Sequence, residues 1–388
     1  MAKKTLNVGM IGYKFMGRAH SNAWSRVGMF FNADADIRMK TLCGREEGWL
    51  RENAASLGWS DIETDWRKLV ARPDIDIIDI TTPSNLHKEM AVEALRHGKH
   101  VFCEKPLATT AADAREIVAA AKASGTKHQV GFNYRFCPAV VLAKQLINEG
   151  KLGKIYHFRG FYLQDWLVDP DSPKSWRMDK AMAGSGAHGD LNAHVIDAAR
   201  YLIGDIREVI GQSRTFITQR PVVEHMEGLS SKAGSDAPMS PVDVDDATMF
   251  LCEFENGALG SFEATRFAMG HKNDMYFEIN GEKGAIKFYF ERMNELHFFD
   301  ATVTPGQQGW SMIQATEGMH PYVSAWWPAG HVLGYEAPFV HELYEFIQSI
   351  ANDRPCAPNF IDGLKIAQVL EAVDRSIETR AWVNVNDL

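Results

Sequence analysis

The first third of this chain alternates short β-branched runs with amphipathic stretches, and that rhythm constrains the fold more than any other feature. Strands are expected over Leu6–Ile11, Ile37–Leu42, Ile75–Thr81, His100–Cys103 and His128–Phe132, with helix signals in the connectors. Thr64 is placed to cap a helix running through Leu69, Ser84 one running through Leu95 and ended by Gly98, and Thr110 an alanine-rich one ended by Gly125. Repeated strand–helix units of this kind build a doubly wound parallel sheet, whose ligands bind at the carboxyl ends of the strands.

After residue 150 the period changes to two. Ile155–Gln164, Thr248–Phe254, Leu259–Arg266, Met275–Asn280 and Ala285–Phe290 alternate apolar and polar positions, and Asn256–Gly257 and Asn280–Gly281 supply turn dipeptides. Helical patterns over Glu336–Ile350 and Leu364–Thr379 close the chain. The stretch Gln219–Val242, rich in Gly, Ser and Pro, is long enough to be functional or mobile. A length of 388 residues calls for two domains. The expected fold is α/β: a dinucleotide-binding domain over 1–132 with a doubly wound parallel sheet, then an α+β domain over 133–388. The second has a large, open, mainly antiparallel sheet covered by helices on one face.

Composition narrows the partners. With 41 Lys and Arg against 50 Asp and Glu, the net charge of -9 argues against nucleic acid, whose recognition needs a basic surface that releases counterions. Five cysteines without a CxxC pair suggest neither a disulfide framework nor a thiolate metal site, which points to a reducing, cytoplasmic setting. The opening Met1–Gly12 reads as a first strand rather than a signal peptide, and no run approaches the ~20 apolar residues of a membrane span. A small-molecule partner remains.

The first strand runs into Gly12-Tyr13-Lys14-Phe15-Met16-Gly17, which opens a helix. A dinucleotide-binding turn usually reads G-x-G-x-x-G, the middle glycine letting backbone approach the pyrophosphate. Here Lys14 stands in that place, where its ammonium either crowds the phosphate or contacts it, while the helix N-terminal amides of Phe15 and Met16 still face an anion. The second strand ends in Leu42-Cys43-Gly44-Arg45 where NAD-binding sheets usually carry an acid for the ribose 2′-hydroxyl. The cofactor is therefore read as NAD(P) with a lean to NADP, although Glu46 and Glu47 follow at once and are placed to fold back toward the ribose.

Two further segments supply reacting groups. Glu104-Lys105-Pro106 lies at the carboxyl end of a strand, where Lys105 can hydrogen-bond a substrate oxygen. In the segment from Asp190 to Asp197, the polar residues Asp190, His194 and Asp197 share one helical face, behind the glycine-rich approach Gly184–Gly189. A histidine suits the removal of a hydroxyl proton near neutral pH. Two other readings stay open here: a metal site built on His188, Asp190 and His194, and a salt-bridged structural face; no metal is expected.

Taken together, Gly12–Gly17 with Arg18-Ala19-His20, Thr82-Pro83-Ser84-Asn85-Leu86-His87, Glu104-Lys105-Pro106, Gly131-Phe132-Asn133-Tyr134-Arg135, and Asp190 through His194 resemble the glucose–fructose oxidoreductase / inositol dehydrogenase / rhizopine catabolism (Gfo/Idh/MocA) family. Tyr162-Leu163-Gln164-Asp165-Trp166 with Ser175-Trp176-Arg177 is similar to its levoglucosan dehydrogenase branch. The resemblance implies a Rossmann domain and an α/β domain whose open sheet mediates dimers or tetramers, with nicotinamide at the cleft between the domains. It implies Lys105, Asp190 and His194 as reacting-centre residues. It extends the cofactor contacts from Gly12, Lys14, Phe15, Met16, Gly17, Gly44 and Arg45 to Thr82, Pro83, Asn85, His87, Glu104 and Lys105.

For the substrate, Asn133, Tyr134, Arg135, Gln164, Trp166, Trp176 and Arg177 join Asp190 and His194. Trp166, Trp176, Tyr134, Trp326 and Trp327 offer flat apolar faces to sugar C–H groups, and Gln164, Asp165, Asn133 and Arg177 offer partners to hydroxyls. The expected activity is oxidation of a secondary hydroxyl of a sugar, anhydrosugar, glycoside or cyclitol to a ketone, with hydride passing to nicotinamide. The alternatives are a non-catalytic regulator that binds dinucleotide and sugar, and an enzyme that retains its cofactor and passes hydride between two sugars.

Overall fold

The computed structural model describes residues 3–223, 233–234 and 236–388. They form two compact units, one of residues up to Cys137 together with Tyr322–Lys365, the other of Pro138–Pro321 with Ile366–Leu388. This differs from a single cut after residue 132, because the chain returns to the first unit before it ends.

The first unit is built on six parallel strands: β1 (Lys4–Ile11), β2 (Ala35–Cys43), β3 (Asp61–Glu63), β4 (Ile77–Ile80), β5 (His100–Glu104) and β6 (His128–Gly131), in the order β3-β2-β1-β4-β5-β6. The helices between them are α1 (Phe15–Phe30), α2 (Glu47–Asn53), α3 (Trp66–Ala71), α4 (His87–Arg96) and α5 (Ala111–Ser124). The strand order reverses between β1 and β4, the switch point where a doubly wound sheet opens a crevice. The central strands β4 and β5 are apolar on both faces, as a covered parallel sheet requires: Ile77, Ile78, Val101 and Phe102 are fully buried, as are Leu6, Val8 and Met10 on β1.

Local signals held where a side chain closes its own helix. Thr110 accepts from the Asp113 amide, and Gly125 ends α5 in the left-handed region at φ 66°. At α3 the cap is Asp65, one residue beyond the expected Thr64, since its carboxylate reaches the Arg67 amide. Ser84 opens a 3₁₀ turn that runs into α4, rather than capping it with its side chain.

The returning segment explains why one cut cannot divide the chain. Helix α9 (Ala337–Ala351) buries Phe339, Val340, Leu343, Phe346 and Ile347 in one core with Val8, Met10, Trp24 and Val27. Its His341 lies at a fully buried position, 2.9 Å from the Phe136 carbonyl through Nδ1, while Nε2 accepts from the Trp326 indole at 2.7 Å. That pairing needs the neutral ring, and burial pulls its pKa down to about 3. His100 and His128 are likewise lowered to about 4 by burial. Each folded-state value lies below the unfolded value, so the unfolded chain takes up protons first as the pH falls. The stability that depends on these rings is present above about pH 6.5 and is lost toward pH 4. Denaturant midpoints recorded between pH 7.5 and 4 are expected to fall steadily through this window; a flat profile would contradict the neutral-ring assignment.

The second unit carries α6 (Pro138–Asn148), α7 (Lys180–Ala183), α8 (Ala193–Leu202) and most of α10 (Phe360–Thr379). Its strands are β7 (Ile155–Leu163), β8 (Ile206–Arg214), the short pair β9 (Gln219–Pro221) and β10 (Met239–Pro241), and β11 (Ala247–Phe254). They continue with β12 (Leu259–Thr265), β13 (Asp274–Gly281), β14 (Gly284–Tyr289), β15 (Glu295–Asp300), β16 (Trp310–Gln314) and β17 (Val383–Asn384). Nine of these form one open sheet in the order β16-β15-β14-β13-β7-β12-β11-β8-β17. Every pair is antiparallel except β7 with β12, so the sheet is mixed.

Alternation decides its faces. Phe250, Cys252, Phe254, Phe262 and Phe277 point inward, and α8 comes so close that a Cβ on Gly160 would stand 2.4 Å from Val195. Met249, Leu251 and Leu259 point outward and are exposed. The turn between β13 and β14 falls at Glu282–Lys283, because Asn280 and Gly281 are still paired in the strand. The expected long loop from Gln219 to Val242 is pinned at both ends by the pairing of β9 with β10, and residues 224–232 and 235 within it lie outside the described residues.

Candidate active site

In the first unit every predicted cofactor position falls at the carboxyl edge of the parallel sheet. The glycine turn follows β1, Gly44 and Arg45 follow β2, Thr82 to His87 follow β4, Glu104 and Lys105 end β5, and Asn133 to Arg135 form a 3₁₀ turn after β6. The turn needs its two glycines for backbone reasons. Gly12 has φ +115° and a Cβ there would lie 2.4 Å from Thr81 Oγ1, while one on Gly17 would lie 2.4 Å from the Gly12 carbonyl oxygen. Lys14 needs no glycine: its φ is -79°, and its side chain is 83 % exposed, 3.8 Å from Glu46.

Glu46 also accepts from the Tyr13 hydroxyl at 2.8 Å, so a carboxylate folds back from the exit of β2 onto the glycine turn. The Tyr13 ring lies where a Cβ on Gly44 would be 2.1 Å away, and burial beside Glu46 pushes the Tyr13 hydroxyl up to about 12. Arg45 is exposed, as are Phe15 and Asn85, while Met16, Thr82 and Pro83 are half-buried.

His87 is fully buried with its ring nitrogens 2.8 Å from the Pro106 carbonyl and 2.9 Å from the Thr82 carbonyl, which ties the exits of β4 and β5 together. Burial lowers its pKa, so the ring is neutral and donates to one carbonyl at a time. The Lys105 amide donates to Glu104 Oε2 at 3.0 Å, and Lys105 itself is half-buried. Asn133, Tyr134 and Arg135 are all buried, and the Tyr134 hydroxyl shares a hydrogen bond with Tyr335.

Trp326 and Trp327, expected to offer faces to a sugar, belong to this unit. Trp326 stacks on Phe30 at 4.0 Å and donates to His341, and Trp327 meets Phe30 edge-on. They pack the end of α1.

In the second unit the predicted substrate residues do converge. Asp190 lies in a π turn over His188–Asn192 that runs into α8, and His194 sits in the first turn of that helix. Such π segments recur at functional sites because they shift the register of the side chains they carry. The approach is held by Asp245, which accepts from the Gly186 amide (2.6 Å), the His188 amide (2.8 Å) and the Thr248 hydroxyl (2.9 Å). His188 is a structural residue: fully buried, its Nε2 donates to the Leu370 carbonyl at 3.1 Å and its Nδ1 accepts from the Asn192 amide nitrogen at 3.2 Å. It is committed to the packing rather than offered to a metal.

Beside the Asp190 turn, Trp166 donates to Gln164 at 2.8 Å, Gln164 donates to Asn273 at 3.0 Å, and Tyr162, also bonded to Asn273, packs edge-on against the His194 ring at 5.9 Å. Arg177 lies over Trp176 and 4.0 Å from the Asp190 carboxylate. Asp165 is taken up by Lys272 at 2.7 Å and the Gly270 amide at 3.1 Å.

The group that organises this cluster was not singled out in the sequence. Arg266, 1 % exposed, donates to Asp190 Oδ2 at 2.7 Å and to the Gly186 carbonyl at 3.3 Å, and lies 5.5 Å from the Trp166 ring. Its signal was positional: Gly260, Phe262, Ala264 and Arg266 occupy the inward alternation of β12 and its exit, so a guanidinium falls where apolar residues belong. Asn273, in a turn between strands, gave no such signal.

The cluster can therefore present a carboxylate fixed as an acceptor, an indole face, an amide and an imidazole to a polyhydroxylated ligand. Residues 6–132 match the family model for the oxidoreductase family with an NAD-binding Rossmann fold, and residues 140–287 match that of the Gfo/Idh/MocA C-terminal domain. A levoglucosan dehydrogenase of Pseudarthrobacter phenanthrenivorans is 42% identical over 385 residues, covering 98% of each chain. Among solved structures, an oxidoreductase domain protein from Kribbella flavida is 47% identical with a TM-score of 0.93, covering 98% of this chain and 99% of that one. A levoglucosan dehydrogenase in complex with NADH and levoglucosan is 41% identical with a TM-score of 0.93, covering 98% of this chain and 100% of that one. The chain belongs to the Gfo/Idh/MocA family of oxidoreductases and carries its NAD-binding Rossmann domain.

Proposed function

We propose that this oxidoreductase oxidises a secondary hydroxyl of a sugar to a ketone, with an anhydrosugar of the levoglucosan type as the leading substrate class. The observation that carries the reading is the cluster of Gln164, Trp166, Arg177 and Arg266-held Asp190 beside His194, on a chain similar throughout its length to a levoglucosan dehydrogenase. A rigid bicyclic sugar offers an apolar C–H face to an indole and hydroxyls to a carboxylate and an amide.

A bound nicotinamide would accept the hydride leaving the alcohol carbon; the two required glycines and the open N-terminus of α1 form the backbone cradle that suits its pyrophosphate. In this scheme His194 takes the hydroxyl proton, and Lys105 donates a hydrogen bond to the oxygen as negative charge develops on it. Asp190, its Oδ2 engaged by Arg266, acts as an acceptor that orients a neighbouring hydroxyl. Cytoplasmic residence and assembly into a dimer or tetramer through the exposed Met249, Leu251 and Leu259 face complete the proposal.

NAD is the cofactor this reading favours over NADP. The lean to a 2′-phosphate rested on Arg45 without an acid, and Glu46 supplies that acid by folding back onto the glycine turn. A 2′-phosphate beside it would meet like charge, whereas a 2′-hydroxyl can donate to it. Wild type is expected to use NAD with a kcat/KM on the order of tenfold or more above that with NADP, and Glu46→Gln to narrow the ratio severalfold, as loss of one charged hydrogen bond would. Equal use of both cofactors by wild type would remove Glu46 from this role. The substrate class is tested by initial rates across levoglucosan, hexoses, methyl glycosides and inositols.

A further inference from the structure

We propose that His20 is a positioning residue for Lys105: clamped between two buried carboxylates, Asp79 and Glu104, it fixes the carboxylate that holds the Lys105 amide and offsets part of the negative charge beside that lysine. For its catalytic meaning the inference rests on the role given to Lys105 above.

The geometry is a continuous series of hydrogen bonds across three elements. His20 lies on α1, Asp79 on β4 and Glu104 at the end of β5. His20 Nδ1 is 3.0 Å from both oxygens of Asp79, and Nε2 is 3.0 Å from Glu104 Oε1. The other oxygen of Glu104 accepts from the Lys105 amide at 3.0 Å. Asp79 also accepts from the Trp24 indole at 2.7 Å, and the imidazole is packed between the rings of Phe102 and Phe339. His20 is 1 % exposed, Asp79 0 % and Glu104 4 %.

Both ring nitrogens face carboxylate oxygens, an arrangement in which both act as donors only in the imidazolium form. The two carboxylates outweigh the cost of burial and raise the His20 pKa well above its ordinary value. The triad then carries one net negative charge. Three of the other ionisable groups facing it stay neutral near neutral pH: burial raises the Cys103 thiol and the Tyr335 hydroxyl, to which Tyr134 is bonded, and lowers His87. Glu342 on α9 adds a carboxylate on the Tyr335 side.

Stability alone does not account for this construction. A buried ionic triad of this size is often no more stabilising than apolar residues of equal volume. What distinguishes it is where it ends, on the main chain of Lys105, with its other end in the helix that opens at the glycine turn. A single imidazolium thus ties the dinucleotide-binding helix to the strand end that presents the lysine.

The test reads Lys105 without reading turnover. The pH dependence of its acetylation by trace acetic anhydride, followed by mass spectrometry of the peptide that contains it, is measured in wild type, His20→Gln and His20→Gln/Asp79→Asn. His20→Gln takes the triad from one net negative charge to two, and the double variant restores one. The midpoint of Lys105 reactivity is expected to move up by about half a pH unit or more in His20→Gln, and to return most of the way in the double variant. A wild-type midpoint in His20→Gln, or a double variant displaced further than the single, overturns the proposal, since a merely structural role predicts that two changes are worse than one. Should His20→Gln fail to fold, the double variant carries the test: recovery of soluble protein with a near wild-type midpoint supports the charge account, and failure to recover it, or a shifted midpoint, overturns it. Turnover of Lys105→Ala is measured separately: a midpoint that moves as expected in an enzyme that does not need Lys105 removes the catalytic role and leaves the positioning intact.

Discussion

His194→Ala is expected to lower turnover by ~10²–10⁴-fold, the contribution typical of a positioned general base, while NADH binding is kept. His194 stands in the first turn of α8 with its ring edge-on to Tyr162, and Asp190 precedes it by four residues in a π turn held by Asp245 and Arg266. Truncation at Cβ removes the imidazole and leaves those supports in place. The variant should also lose the limb of the pH–rate profile that belongs to the base. Near wild-type turnover with an unchanged profile would show that another group takes the proton.

The second large effect is expected at the glycine turn. Gly12→Ala places a Cβ 2.4 Å from Thr81 Oγ1 and 2.9 Å from its carbonyl carbon, at a φ of +115° that side chains rarely adopt. Gly17→Ala drives a Cβ to 2.4 Å from the Gly12 carbonyl oxygen, a backbone atom that cannot swing away. Strain of ~1–3 kcal/mol in the turn, with displacement of the amides at the start of α1, should weaken NADH binding by about two orders of magnitude. Lys14→Ala is the control, since that side chain is largely exposed and its loss leaves the backbone cradle as it was. Fluorescence titration with NADH checks all three; Gly12→Ala or Gly17→Ala binding like wild type would show that the turn is not the dinucleotide site.

These effects were legible in the sequence to the extent that they depend on local spacing. Gly12 and Gly17 mark a strand-to-helix turn, Lys105 follows a strand end, and Asp190 and His194 are one turn apart; each relation is fixed by a few neighbouring residues. The same holds for the two sheets, because alternation with period two and apolar runs bounded by helix signals are local patterns. What the sequence did not show depends on contacts across long separations. Glu46, already placed to fold back, finds Tyr13 as its partner, His20 on α1 meets Asp79 and Glu104 on two strands, and Arg266 finds Asp190 from the exit of β12. The return of residues 322–365 to the first unit is of that kind too, since nothing in the pattern of α9 says which sheet it will cover. It is also why Trp326, plausible as a sugar platform by composition, turned out to be packed against Phe30 and His341.

The most direct test of the account is the initial rate of NAD reduction with levoglucosan and a panel of hexoses, methyl glycosides and inositols, with Lys105→Ala run beside the wild type. NADH formation is expected with at least one of these sugars, fastest with the anhydrosugar class, and is expected to be lost in Lys105→Ala. Tight NADH binding without turnover of any sugar, or turnover that survives in Lys105→Ala, would contradict it.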